Sequence, residues 1–383
     1  MYRIILFIFI CLFSVYSCDN FDIEKFKKEH PRSNPLDPNA NSSSLSPVVF
    51  VSVACGGNHT LAIKSDGTLW ATGWNNFGQL GIGNNNDTSN FVLVMSNVKY
   101  VACGMNHTLA IKEDNTLWAT GYNNNGQLGT GDINNKNIFV KVLDNVKYVA
   151  CGWYHTFAIK EDNTLWATGK NDNGQLGIGN NNNTNNFVLV MSNVKYVACG
   201  GDHTLIISND DTLWATGRNV DGQFGIGNTD STNQFVKVTN NIKSVVCGAF
   251  YTLAVTYGGE LLATGNNFYG QFGIGNNNST NKFVMVRTGV KYVACGNYHT
   301  LIIDDGGSLL ATGYNNNGQL GTWDNNNRNQ FVQVLSDVKY VACGSFHTLA
   351  IKSDSTLWAT GNNNNGQLGT GDNNNTNKFL QVW

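Results

Sequence analysis

The string Val-Ala-Cys-Gly recurs along this chain with its cysteine at Cys55, Cys103, Cys151, Cys199, Cys295 and Cys343, and Cys247 holds the same place in a Val-Val-Cys-Gly variant. The spacing is 48 residues each time, and seven such units fill residues 48–383 without an insertion. Self-similarity at a period of about 20 to 50 residues decides the architecture before any single residue is read. Each unit is one supersecondary element, and it buries its faces only against its neighbours.

In the second unit, Val98 to Cys103, His107 to Lys112, Thr116 to Thr120 and Phe139 to Val142 are short apolar stretches with β-branched or aromatic content. Each reads as a strand. The breaks between them, Glu113-Asp114-Asn115 and the long Gly121 to Gly131 segment, carry Gly, Asn and Asp and read as turns. Four antiparallel strands repeated seven times predict an all-β fold, a seven-bladed β-propeller of four-stranded blades over residues 48–383. Two closures fit the sequence: blades that begin at the Val-Ala-Cys-Gly strand, each complete, or blades in which Phe379 to Val382 supplies a missing strand to the first.

The motif Cys-Gly-x-x-His-Thr-Leu-Ala-Ile-Lys, followed by Thr-Leu-Trp-Ala-Thr-Gly-x-Asn-x-x-Gly-Gln-Leu-Gly-x-Gly, resembles the repeat of the regulator of chromosome condensation family. Gly73, Asn75, Gly78, Gln79, Leu80, Gly81 and Gly83 stand in that pattern and recur in register, with Phe for Leu at Phe224 and Phe272. The resemblance covers residues 48–383 and implies a seven-bladed propeller. One departure concerns the aromatic usually found just before the glycine that precedes Asn. Thr72 and Thr120 stand there, and the ring has moved upstream to Trp70, Trp118, Trp166, Trp214 and Trp358, mid-strand, where we expect it in the blade core.

All four prolines, Pro31, Pro35, Pro38 and Pro47, precede the repeats, which marks a domain boundary. Arg3 followed by the apolar run Ile4 to Val15 reads as an export signal over residues 1–17, because the run is too short to span a bilayer. Val15-Tyr16-Ser17-Cys18 resembles a bacterial lipobox, which implies lipidation at Cys18 and a flexible tether over 18–47. The expected location is the cell envelope, with the lipid anchor as the sole membrane attachment; ordinary cleavage and secretion is the alternative. A net charge of −2 with 13% charged residues leaves no basic excess for nucleic acid.

Chemistry is sparse. Cys and His four residues apart invite zinc, yet each blade offers two ligands and no second pair at metal spacing, so no metal site, cofactor or catalytic residue is assigned. His59, His107, His155, His203, His299 and His347 recur like structural parts, with Tyr251 in their place in the fifth unit, and are read as fixing a turn or linking neighbouring blades. The glycine-rich loops lack the helix and Lys-Ser/Thr of a phosphate cradle and read as turn chemistry.

Function is sought where the repeats differ. After Cys-Gly the chain carries Met105, Trp153, Tyr154, Phe250, Tyr298 or Phe346, with Tyr251 beside them, and after Ala-Thr-Gly it carries Trp74, Tyr122 or Tyr314. First and third turns of an antiparallel meander share one end of a sheet, so all ten residues are expected on one face near the channel mouth. Aromatics are enriched in binding hot spots. The expectation is a monomeric, non-enzymatic scaffold binding a protein through that face; a glycan module is the alternative, and nucleotide exchange on a GTPase, implied by the resemblance, ranks third because an exported chain would not meet that partner.

Overall fold

The computed structural model describes residues 48–383. The expected leader over 1–17, the lipidated Cys18 and the tether lie outside the described residues. Twenty-eight strands form seven four-stranded antiparallel sheets, each in plain sequence order, with no helix among the described residues. In the second blade the strands are Val98–Cys103, His107–Lys112, Leu117–Gly121 and Lys136–Leu143. The first two coincide with the sequence reading. The outer strand is longer than expected because its polar start, Lys136, pairs with Gly121 across a register shift, leaving an apolar signal only from Phe139 onward.

Blade closure follows the first of the two readings. The strand Thr376–Gln381 pairs within its own sheet, with Ala359 opposite Leu380 and Trp358 opposite Gln381. The first blade is complete from Phe50–Cys55 to Thr88–Met95. No strand is exchanged between the ends of the array.

The core sits between blades. Leu109, Ile111, Leu117, Ala119 and Leu128 of the second blade pack against Val146, Val149 and Ala158 of the third, and equivalent clusters fill the other junctions. Alternation along each strand sends one set of apolar side chains to each neighbour. Fully burying a Leu or Ile contributes about 1.5 to 3 kcal/mol, so each junction is held by its own hydrophobic layer.

The glycine-rich loop joins the third strand of a blade to its fourth and reaches onto the next blade. Asn75 and Gln79 are fully buried within it. The Asn75 amide donates to the Asn84 and Asn86 carbonyls at 2.9 and 3.1 Å while its oxygen accepts from Leu80 N at 2.9 Å, and Gln79 Oε1 accepts from Phe77 N at 3.0 Å. These side chains supply the bonds that a strand partner would otherwise give the backbone. Leu80 plugs the core, and Gly81, at φ 70°, lies so close to the Phe139 ring of the next blade that a Cβ there would fall 2.5 Å from it.

The repeated tryptophans differ from expectation. Trp118 and its equivalents are half-buried, with Lys112 Nζ 4.4 Å from the Trp118 ring centre and Trp118 Nε1 donating to Thr116 Oγ1 at 2.8 Å. Their indole nitrogen needs a polar partner, and the second turn provides it at the edge of the sheet. Lysine stems therefore roof tryptophan on the far face.

Candidate functional site

Beneath the variable face runs a layer that hardly varies. His59 Nε2 lies 3.0 Å from Thr108 Oγ1 in the next blade, and the same link joins His107 to Thr156, His155 to Thr204, His203 to Thr252, His299 to Thr348 and His347 to Thr60. Each threonine hydroxyl donates its proton to a glutamine carbonyl of the preceding blade's loop, as Thr108 does to Gln79 O at 2.7 Å. It must therefore accept from the histidine, which fixes the proton on Nε2. Nδ1 of every one of these histidines is left buried with no partner. Burial pushes the six imidazoles down to about 3, so they stay neutral. The histidines link blades, as the repetition suggested.

Tyr251 belongs to this layer and not to the face. It is fully buried, and its hydroxyl donates to His299 O at 2.6 Å and lies 3.1 Å from Thr300 Oγ1. Its position in the repeat is that of histidine, on a strand whose side chains point between blades, so it is withdrawn from the candidate surface.

The other nine candidates do share one end of the propeller. The turns meet as expected: the residue after each third strand donates its N–H to the first turn, Tyr122 N to Asn106 O at 2.8 Å and Tyr314 N to Tyr298 O at 2.9 Å. Around the mouth, neighbouring turns bond to one another through their backbones, Gly57 N to Met105 O at 3.0 Å and Met105 N to Trp153 O at 3.2 Å, forming a narrow collar.

Rings on this face touch in sequence. Trp74, Phe77, Tyr122 and Tyr154 make one arc, with centroid separations of 5.3, 4.8 and 5.7 Å. Trp153, Phe250 and Tyr298 begin a second at 5.3 and 6.0 Å, which continues through Tyr269 and Tyr314 to Phe346. Separations of this kind favour edge-to-face contact and hold the rings in place. Burial raises the hydroxyl pKa of Tyr154 and Tyr298.

Two side chains reach across the mouth over glycine gaps. Trp153 passes over Gly201, where a Cβ would stand 3.1 Å from the indole, and its Nε1 donates to Asn297 Oδ1 at 3.4 Å. Met105 passes over Gly57 and brings its sulfur to 3.5 Å from Ser345 Oγ. Sequence comparison found both large residues. It did not show that Gly57 and Gly201 make room for them.

Charge near the aromatic rings enters at the third and fourth blades. Lys170 pairs with Asp202 at 3.2 Å, Gln175 Nε2 donates to Asp202 at 3.0 Å, and Arg218 pairs with Asp221 while lying 4.8 Å over the Phe250 ring. Both pairs are internally compensated. Asp202 and Asp221 were missed in the sequence, although their departure from the Asn, Tyr and Phe of other repeats was the available signal. Val220 and Phe268 add exposed apolar side chains, at 60% and 68%.

A radial ring of seven four-stranded sheets defines a β-propeller with one variable, aromatic face. Comparison with known families gives the group. An RCC1-like domain pattern matches residues 14–241, and the Regulator of chromosome condensation (RCC1) repeat matches 242–271, 290–319 and 338–367. The chain belongs to this RCC1 repeat family. It is similar to Protein RCC2 homolog of Xenopus laevis, 54% identical over 44 residues that make up 12% of this chain and 9% of that protein. The Ultraviolet-B receptor UVR8 of Arabidopsis thaliana is 56% identical over 39 residues, 10% of this chain and 9% of the receptor. Each match is thus shorter than one repeat. Among solved structures, Prp20p of Saccharomyces cerevisiae, described for its binding to Gsp1p and histones, superposes with a TM-score of 0.74 at 19% identity, covering 89% of this chain and 87% of that one. Human WBSCR16 gives 0.72 at 23% identity over 79% and 87%. At these identities the likeness concerns the fold.

Proposed function

We propose that the chain is a non-enzymatic scaffold that binds a protein partner through the aromatic face, and that it is exported and held at the cell envelope through Cys18. The observation that carries the first part is the contrast between faces: two arcs of touching rings at the mouth, lysine-roofed tryptophan opposite. A charge-compensated, ring-lined surface suits an apolar protein patch better than a strongly charged ligand. The protein partners of Prp20p support this class of binding. Trp153, Phe250, Tyr298 and Phe346 are the expected centre, with Tyr154, Met105, Trp74, Tyr122 and Tyr314 around them.

The test compares capture from envelope extract by the native chain, by Trp153→Ala/Phe250→Ala and by Lys112→Ala/Lys160→Ala, alongside a glycan array. Loss of one hot-spot ring typically costs 2 kcal/mol or more, roughly thirtyfold in affinity. The first variant should lose its partner at an unchanged melting temperature, and the second should retain it. Equal capture by both variants, or binding confined to glycans, overturns the reading. Separately, Cys18→Ser should move the protein from the detergent to the aqueous phase; a native chain already in the aqueous phase removes the anchor.

A further inference from the structure

Six of the seven blade junctions are joined by the chain itself. The outer strand of one blade passes through two residues into the inner strand of the next, as Met95 leads through Ser96 and Asn97 to Val98. Among the described residues the seventh blade and the first share no such turn, and no strand is exchanged between them. Side-chain links of the common kind do cross this seam, His347 Nε2 to Thr60 Oγ1 at 3.0 Å and Thr72 Oγ1 to Gly366 O at 2.8 Å. They add nothing that a joined junction lacks.

Two repeat positions depart from the pattern at this seam alone. Phe50 stands where the other six blades have valine or isoleucine, and Trp383 stands where they have methionine, leucine, threonine or arginine. The two rings meet, with centroids 5.5 Å apart at an angle of 84°, and Trp383 also lies 5.8 Å from Trp70. Lys64 Nζ sits among all three, 3.9 Å from the Trp383 ring centre, 4.1 Å from Trp70 and 5.1 Å from Phe50. Lys64 is 7% exposed, whereas Lys112, Lys160 and Lys352 in the same repeat position are half-buried, each over a single tryptophan.

An ammonium over ring faces is attracted by their quadrupoles, and more strongly where water is kept away. Phe50, Lys64 and Trp70 belong to the first blade, while Trp383 is tied to the seventh, its carbonyl accepting from Leu357 N at 3.4 Å. The attraction therefore acts across the seam. We propose that this cage is the clasp that closes the ring in place of the missing turn, and that removing it opens this junction while the other six hold.

Each junction carries its own reporter. Cys55 packs in the cluster between the seventh and first blades, Cys103 between the first and second, and Cys151 between the second and third. All seven repeat cysteines are free thiols, so their alkylation by iodoacetamide, followed residue by residue by mass spectrometry on the full chain, measures the opening of each junction. Trp383→Leu brings in the residue that the second and sixth blades carry, and Lys64→Met removes the charge but keeps an apolar stem. In each variant Cys55 should react more than about tenfold faster than in the native chain, with native rates at the other six. Lys112→Met, at a junction the chain itself joins, should leave Cys103 at its native rate. An unchanged Cys55 in either seam variant overturns the proposal. Equal acceleration at all seven cysteines, as in a chain that has lost its fold, overturns it too, and so does a Cys103 as accelerated by Lys112→Met as Cys55 is by Lys64→Met.

Discussion

Two layers of this propeller lie side by side along the same strands, yet they obey opposite rules. In the junction layer, His59 and Thr108 meet as His347 and Thr60 do, at 3.0 Å in both cases, although one pair joins consecutive blades and the other closes the ring. At the mouth, the residue two positions after cysteine is Gly57, Met105, Trp153, Gly201, Ala249, Asn297 or Ser345, and no two neighbours are alike. A buried polar link tolerates little change because an unmatched donor or acceptor costs about 1 to 3 kcal/mol. A surface turn carries no such penalty. Uniformity here reports folding, and variety reports what solvent or a partner meets.

The sharpest test of the junction layer is acid. The six histidines have folded-state values near 3 against an ordinary 6.5, so the unfolded chain binds more protons below that ordinary value. Their contribution to stability is complete above pH 6.5 and is lost as pH falls toward about 3. Each withheld proton costs about 1.4 kcal/mol per pH unit, so six acting together cost roughly 8, against a total stability of about 5 to 15 kcal/mol. Circular dichroism followed from pH 7 to pH 4 should show one steep, cooperative unfolding transition centred near about pH 5. A chain still folded at pH 4 would break the comparison.

At neutral pH, His107→Ala should cost about 2 to 4 kcal/mol in denaturant melts, since it leaves a void and an unpaired lone pair on Thr156. Trp153→Ala in the other layer should cost less than half of that. Trp118→Ala should fall between, at about 2 kcal/mol, because a half-buried indole removes on the order of 100 Å² from water. The smallest effect has the opposite sign. Trp323 sits at φ 67° and 73% exposed, at a loop position where the other six blades have glycine. Trp323→Gly should stabilise the chain by about 1 kcal/mol, read as a higher melting temperature.

Those cases also mark how far the sequence could be read. Repeat length, strand order and the shared face followed from periodicity, which is a property of many residues at once. Tyr251 counts in the sequence both with the histidines it replaces and with the aromatic turn beside it; its hydrogen bond to His299 O assigns it to the histidine layer. Trp118 defeated the reading because mid-strand position does not say which edge of the sheet a ring reaches. The lid formed by Trp153 over Gly201 depends on two blades at once, and no single repeat contains it.

The glycine-rich loop that each blade lays against the next has a combinatorial consequence. Gly78 O receives Thr120, Gly126 O receives Thr168, and Gly366 O receives Thr72, so any blade presents the same socket and the same plug. This link does not depend on the order of the blades. Exchanging two of them, by recombination between repeats or by design, would leave the ring intact while rearranging the pattern of rings and charges around its mouth, much as reordering tiles changes a picture without changing the frame.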